Sequence, residues 1–121
     1  MELKIASLLK DLGVPANLQG YFHLKYAVSL AVEDISITNR ITKELYPSVA
    51  KKFKTTTARV ERAIRHAIEI SWGRGNIDTQ NKLFGYTVDQ GKGKPTNSEF
   101  ISTIADWLVM TECDGDVNNG R

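Results

Sequence analysis

Cysteine is almost missing from this sequence, with Cys113 alone among 121 residues, so no internal disulfide can form. No CxxC or Cys/His partner lies near it, which removes a structural zinc site and leaves Cys113 as an incidental free thiol. Histidine is nearly as scarce. His23 and His66 are the only two, too few to build a persuasive general base or metal set. His66 and Glu69 stand one helical turn apart, but such pairs are common on charged helix faces, and His23 is read as partly buried or at the surface. Neither an enzyme, a metal nor a cofactor is therefore expected. No apolar run approaches the length of a signal core or a membrane span, which points to the cytoplasm. Strand-like alternation, internal repeats and long heptads are absent too. The one glycine- and lysine-rich stretch, GKGKPT, lacks the GxxxxGK[ST] spacing of a phosphate-cradling loop.

What is present is helical periodicity. With 41% hydrophobic residues, the chain reads as one all-α domain of about six helices with a core of its own. Ile5, Leu8, Leu9 and Leu12 mark a first helix that stops at Gly13, with Pro15 just beyond. Tyr21, Leu24, Ala27, Val28, Ala31 and Val32 form the stripe of a long second helix, from Asn17 or Gln19 to about Ile37. Thr38 or Asn39 caps a short segment, ITKELY, with Lys43 and Glu44 on its wet side. Gly75 is read as a helix stop. After it, Asn76 or Asp78 caps a brief helix ended by Gly85, and TVDQGKGKPTN reads as an exposed loop or short hairpin. Thr96 and Glu99 make a capping box for a last helix that turns Phe100, Ile104, Trp107 and Leu108 inward. The domain is taken as residues 1–110, with a disordered polar tail over 111–121.

The most informative stretch is YPSVAKKFKTTTARVERAIRHAIEISWGRG, Tyr46 to Gly75. At about 100° of rotation per residue, Val60, Ala63, Ile64, Ala67, Ile68 and Ser71 share one side of a helix. Arg59, Glu61, Arg62, Arg65, His66 and Glu69 share the other. Before it, Pro47 suits the first turn of a shorter helix carrying Val49, Ala50 and Phe53. Thr56 or Thr57 can cap the longer helix through its hydroxyl. Short helix, tight turn and longer helix with early basic residues give the outline of a helix-turn-helix, whose second helix enters the major groove. Ala50 is small where the two helices must approach closely, Phe53 is expected to close the angle between them, and Lys54 occupies a turn position where many such motifs have glycine. Two helices of an ordinary bundle with a solvated charged face would share much of this pattern.

Charge weighs against the bundle. Residues 51–75 hold seven basic and two acidic side chains, whereas the rest of the chain holds nine and twelve. A basic element on a weakly acidic body is the footprint of a phosphate-backbone binder. Arginine pairs with the O6 and N7 of guanine, and glutamate accepts from the N4 amino group of cytosine. Arg59, Glu61, Arg62 and Arg65 lie early enough in the helix to reach base edges, although Glu61 can instead orient Arg65 across one turn. Lys51, Lys52, Lys54 and the hydroxyls of Thr55, Thr56 and Thr57 suit backbone contacts that set register. Lys92 and Lys94 either reach a phosphate or belong to a merely solvated loop. A protein-interaction module docking an acidic partner is the alternative. RNA is weaker, because no aromatic stacking platform accompanies the charges.

The blocks AKKF, RVERAIRHAIE, LFGYT and KPTNSEF closely resemble the DNA-binding effector domains of the stage 0 sporulation protein A family, over about Ile5 to Leu108. These are the effectors of phosphorelay response regulators that commit endospore formers to sporulation. The resemblance implies duplex DNA as partner and a box similar to TGTCGAA. Arg59, Glu61, Arg62, Arg65 and His66 become candidates for base or adjacent phosphate contact. Ala58 falls among the backbone positions but replaces a frequent serine of the pattern, so one hydroxyl contact to phosphate is expected to be lost. The resemblance further implies both activation and repression, homodimers on tandem boxes, and contact with the RNA polymerase sigma subunit. The segment Asn76 to Tyr86 matches the part tied to that contact, which nominates Asp78, Gln80 and Lys82. A receiver domain that regulates the effector belongs to the full-length family protein. These residues do not encode it, so the chain is expected to be an isolated effector domain, or else an unusual truncated form that begins at Met1.

Overall fold

The computed structural model describes residues 1–74, 76–85 and 93–119, with side chains described as far as Glu112. The expected helix stop at Gly75, the loop through Lys92, the Cys113 thiol and the last two residues of the tail lie outside that description. Six α-helices account for most of the chain, and no strand occurs among the described residues. They are α1 (Glu2–Asp11), α2 (Gln19–Glu33), α3 (Tyr46–Phe53), α4 (Thr57–Arg74), α5 (Ile77–Phe84) and α6 (Asn97–Asn119). The predicted all-α class and helix-turn-helix are both present. α6 is the longest of the six helices, 23 residues from Asn97 to Asn119.

Each helix begins and ends for a local reason. At the end of α1, Gly13 takes φ 85°, a left-handed conformation that a Cβ would oppose. The Val14 N–H then donates to the Leu9 carbonyl at 3.0 Å, closing the helix end. α2 stops four residues before the expected Ile37. Asp34 swings to φ −149° and its carboxylate accepts from the Ser36 N–H at 3.1 Å, opening a 3₁₀ segment over Ile35–Arg40. A one-turn π-helical stretch, Ile41–Leu45, then leads into α3. It has no side-chain cap, so neither Thr38 nor Asn39 plays the capping part. Asn76 caps α5, accepting from the N–H groups of Asp78 at 2.9 Å and Thr79 at 3.4 Å. The capping box of α6 is complete: Glu99 N–H donates to the Thr96 hydroxyl at 3.1 Å, and Thr96 N–H to the Glu99 carboxylate at 2.9 Å.

α2 is the centre of the domain, packed by α1, α4 and α6. Leu24, Ala27, Val28 and Ala31 are fully buried along it, and the small residues let its neighbours come close. A close approach occurs at Gly20. A Cβ there would collide with the Ala63 carbonyl oxygen and lie 2.8 Å from the Ala67 Cβ, so the α2–α4 crossing requires glycine. Farther along, Trp72 of α4, Phe84 of α5 and Phe100 of α6 pack ring on ring, with centroids 5.1 Å apart for Trp72 and Phe84 and 5.5 Å for Phe84 and Phe100. The buried Ser71 hydroxyl donates to the Leu12 carbonyl, fastening the end of α4 to the end of α1. On α6, Ile101 and Ala105 join the expected Phe100, Ile104 and Leu108 in the core, while Trp107 is only half-buried.

Candidate nucleic-acid interface

α3 and α4 are held at a fixed angle by a three-residue turn. Lys54 is the one described non-glycine residue with positive φ (55°, ψ 49°), so the chain does adopt the left-handed turn at a lysine. The Thr55 N–H returns to the Ala50 carbonyl at 2.9 Å, the six-to-one bond of a Schellman end. Thr56, rather than Thr57, is the cap: its hydroxyl accepts from the Arg59 N–H at 3.2 Å. Ala50 is buried where α3 packs on α4 and the neighbouring helices. The Phe53 ring packs on α2, 5.0 Å from His23 and 6.0 Å from Tyr26, and the residue stays 37% exposed.

The two faces of α4 separate cleanly. Val60, Ile64, Ala67, Ile68 and Ser71 are buried, with Ala63 half-buried at the Gly20 crossing. Arg59, Arg62, Arg65, His66 and Glu69 are exposed together, and Glu61 is half-buried at the edge of that face. Arg65 donates to both carboxylate oxygens of Glu61, the second contact at 2.8 Å. Arg59 and Arg62 make no ion pair with any described residue, so their guanidinium groups are unspent. Lys51, Lys52, Lys54, Thr56, Thr57 and Ala58 are exposed around the same turn, and Thr55 is half-buried. The Lys52 ammonium leans over the Tyr26 ring, 5.5 Å from its centroid.

The beginning of α6 braces this face from behind. The Asn97 amide donates to the Tyr46 hydroxyl at 2.9 Å and to the Glu61 backbone carbonyl at 3.1 Å, joining α3, α4 and α6 at one side chain. Ser98 adds a bond from its hydroxyl to the Thr38 carbonyl at 3.1 Å. Neither tie is visible in periodicity, because both are polar contacts between residues far apart in the chain. Lys94, exposed, shares a groove of about 420 Å³ with Glu61, Arg65 and Asn97, which brings the described end of the 87–97 loop to the side of α4.

The α5 candidates behave unequally. Asp78 and Lys82 are exposed, with the Lys82 ammonium 5.1 Å from the centre of the Trp107 ring. Gln80 is occupied: its side-chain amide donates to the Ser71 carbonyl at 3.1 Å, satisfying an acceptor in the last turn of α4. His23 is not a surface residue. It is 5% exposed, and burial pushes its pKa below the usual imidazole value.

No helix of the described residues is long and apolar enough to cross a membrane. A helix-turn-helix with an uncovered basic face is a duplex-binding arrangement. The sequence matches, over residues 5–108, the family described as sporulation initiation factor Spo0A C terminal. With nearly the whole chain covered and the fold in agreement, this protein belongs to that family of DNA-binding effector domains of sporulation regulators.

Proposed function

We propose that this domain reads a short box similar to TGTCGAA in the major groove, using the exposed face of α4, and acts from there as activator or repressor of sporulation genes. The observation that carries the reading is the pair of exposed guanidinium groups of Arg59 and Arg62, without an ion pair among the described residues, within the first two turns of α4. Guanines in such a box offer the O6 and N7 acceptors that arginine takes in two parallel bonds. Arg65, Glu61 and His66 complete the base-facing set. Lys51, Lys52, Lys54, Thr55 to Thr57, the backbone at Ala58, Lys94 and Lys92 grip the phosphates and set register. Tandem boxes are occupied by two copies. Asp78 and Lys82 face the RNA polymerase sigma subunit, with Gln80 fixing the α4–α5 corner that presents them. A receiver domain of the full-length regulator governs access, in the cytoplasm and at the nucleoid.

The test is a titration of labelled duplex, box against scrambled sequence, at two salt concentrations. Preference for the box, with affinity for both duplexes falling steeply as salt rises, supports the reading. Salt-sensitive binding without preference leaves only a general duplex binder. No binding to either duplex, with capture of an acidic polypeptide instead, supports a protein-docking module.

A further inference from the structure

A second feature of this face lies outside the helix-turn-helix proper. Between the start of α2 and the turn joining α3 to α4 is a cavity of about 470 Å³, whose polar lining comes from Gln19, His23, Lys54, Thr55 and Arg59. Its two charged residues are both cations, and no carboxylate lines it. Two helix N-termini meet there. Gln19 opens α2, whose end has no side-chain cap, and Arg59 lies in the first turn of α4. At α4 the Arg59 N–H is already taken by the Thr56 hydroxyl, so it is the uncapped start of α2 and the positive ends of the two helix dipoles that favour an anion there.

His23 supplies an independent sign. It is 5% exposed, and its Nδ1 is enclosed without a hydrogen-bond partner. An orphaned N–H is rarer and costlier in an interior than an orphaned lone pair, so the ring proton belongs on Nε2. Burial disfavours the charged ring, so His23 lines the cavity as a neutral side chain with no hydrogen-bond partner among the described residues.

We propose that this cavity seats one phosphate group of the duplex backbone, held by Gln19 and His23 of α2 together with Lys54, Thr55 and Arg59. The inference rests on the DNA-binding reading and deepens it: two residues of α2 would fix where α4 sits along the groove. Arg59 links the two, since it belongs both to the cavity and to the base-facing side of α4.

The experiment measures binding of the full chain to box duplexes in which each phosphate in turn is replaced by a neutral methylphosphonate. The variants are Gln19→Glu and His23→Phe. Gln19 is exposed and a carboxylate in a first helical turn is favourable, so Gln19→Glu folds, while His23→Phe keeps a ring against Phe53. The expected result is one phosphate whose neutralisation costs the wild type about tenfold, as loss of a charge-assisted hydrogen bond does. Both variants lose affinity for the unmodified duplex, and neither loses more when that phosphate is neutralised. Wild-type affinity in both variants, or losses that simply add at every phosphate, overturns the seat. Inorganic phosphate alone is the second probe. Weak, non-saturating shifts in the His23 and Thr55 resonances support a seat for the backbone; saturation below about 1 mM with duplex affinity untouched assigns the cavity to a free anion and overturns it. A wild-type chain that binds no duplex defeats the DNA reading itself, a different failure from that of the variants.

Discussion

One guanidinium nitrogen of Arg65 donates to both carboxylate oxygens of Glu61, a helical turn earlier on the exposed face of α4. The pair is partly solvent-exposed, so it contributes no more than about 0.3–0.5 kcal/mol to the helix. Its larger consequence is orientation, because the carboxylate that holds Arg65 fixes where its guanidinium points along the face of α4. Glu61→Ala is expected to change unfolding free energy by less than about 0.5 kcal/mol while altering base preference at the step beneath Arg65. Thermal unfolding and binding to a panel of single-base box variants check both halves. An unchanged preference removes the pair from the reading of sequence.

Lys54 holds a left-handed backbone that costs a residue with a Cβ. Replacing it with glycine removes that cost and adds back some chain entropy, for a net gain of about 0.5–1 kcal/mol. The same change removes a phosphate-facing cation. Lys54→Gly is therefore expected to melt higher yet bind box and scrambled duplex equally more weakly, as melting curves and titrations of one preparation will show.

At the α2–α4 crossing the prediction is steric. Gly20→Ala places a methyl group against the Ala63 carbonyl and the Ala67 side chain, which must separate the helices. Overpacking of this kind costs about 1–3 kcal/mol. Since α4 is the element displaced, affinity for the box falls along with stability in denaturant melts.

His23 sets a pH dependence. Its folded-state pKa lies below the ordinary value of 6.5 because burial disfavours the charged ring. The unfolded chain therefore takes up the proton first as pH falls. The contribution is fully present above about pH 6.5 and is lost as pH drops from there toward the lowered folded value. Denaturant melts from pH 7.5 to 5 are expected to show stability falling below pH 6.5, and His23→Phe to flatten that fall.

Much of this was legible in the sequence because it is local. The split of α4 into a buried side at Val60, Ile64, Ala67 and Ile68 and a charged side follows from periodicity alone. The Thr96–Glu99 box and the Gly13 stop follow from short-range chemistry that the backbone then obeys. What is not legible there depends on distant partners. Asn97 looks like an ordinary polar residue beside a cap, yet it joins Tyr46 to Glu61 across three helices. Gly20 reads as a weak point in a helical stripe until α4 is seen to cross there. The pattern puts Phe53 between α3 and α4 and His23 partly buried or at the surface, whereas the two rings pack on each other 5.0 Å apart. The end of α2 at Glu33 rather than Ile37 turned on Asp34, whose carboxylate bonds Ser36 and so competes with the helix.

The central claim is that exposed arginines on α4 choose among DNA sequences while the surrounding lysines only hold the backbone. The measurement that bears on it most directly is the ratio of box to scrambled affinity for Arg62→Ala and Lys51→Ala at one salt concentration. Arg62→Ala is expected to shrink that ratio by the equivalent of about 1–3 kcal/mol, and Lys51→Ala to weaken both duplexes by the same factor. Equal losses on both duplexes for Arg62→Ala would contradict the account.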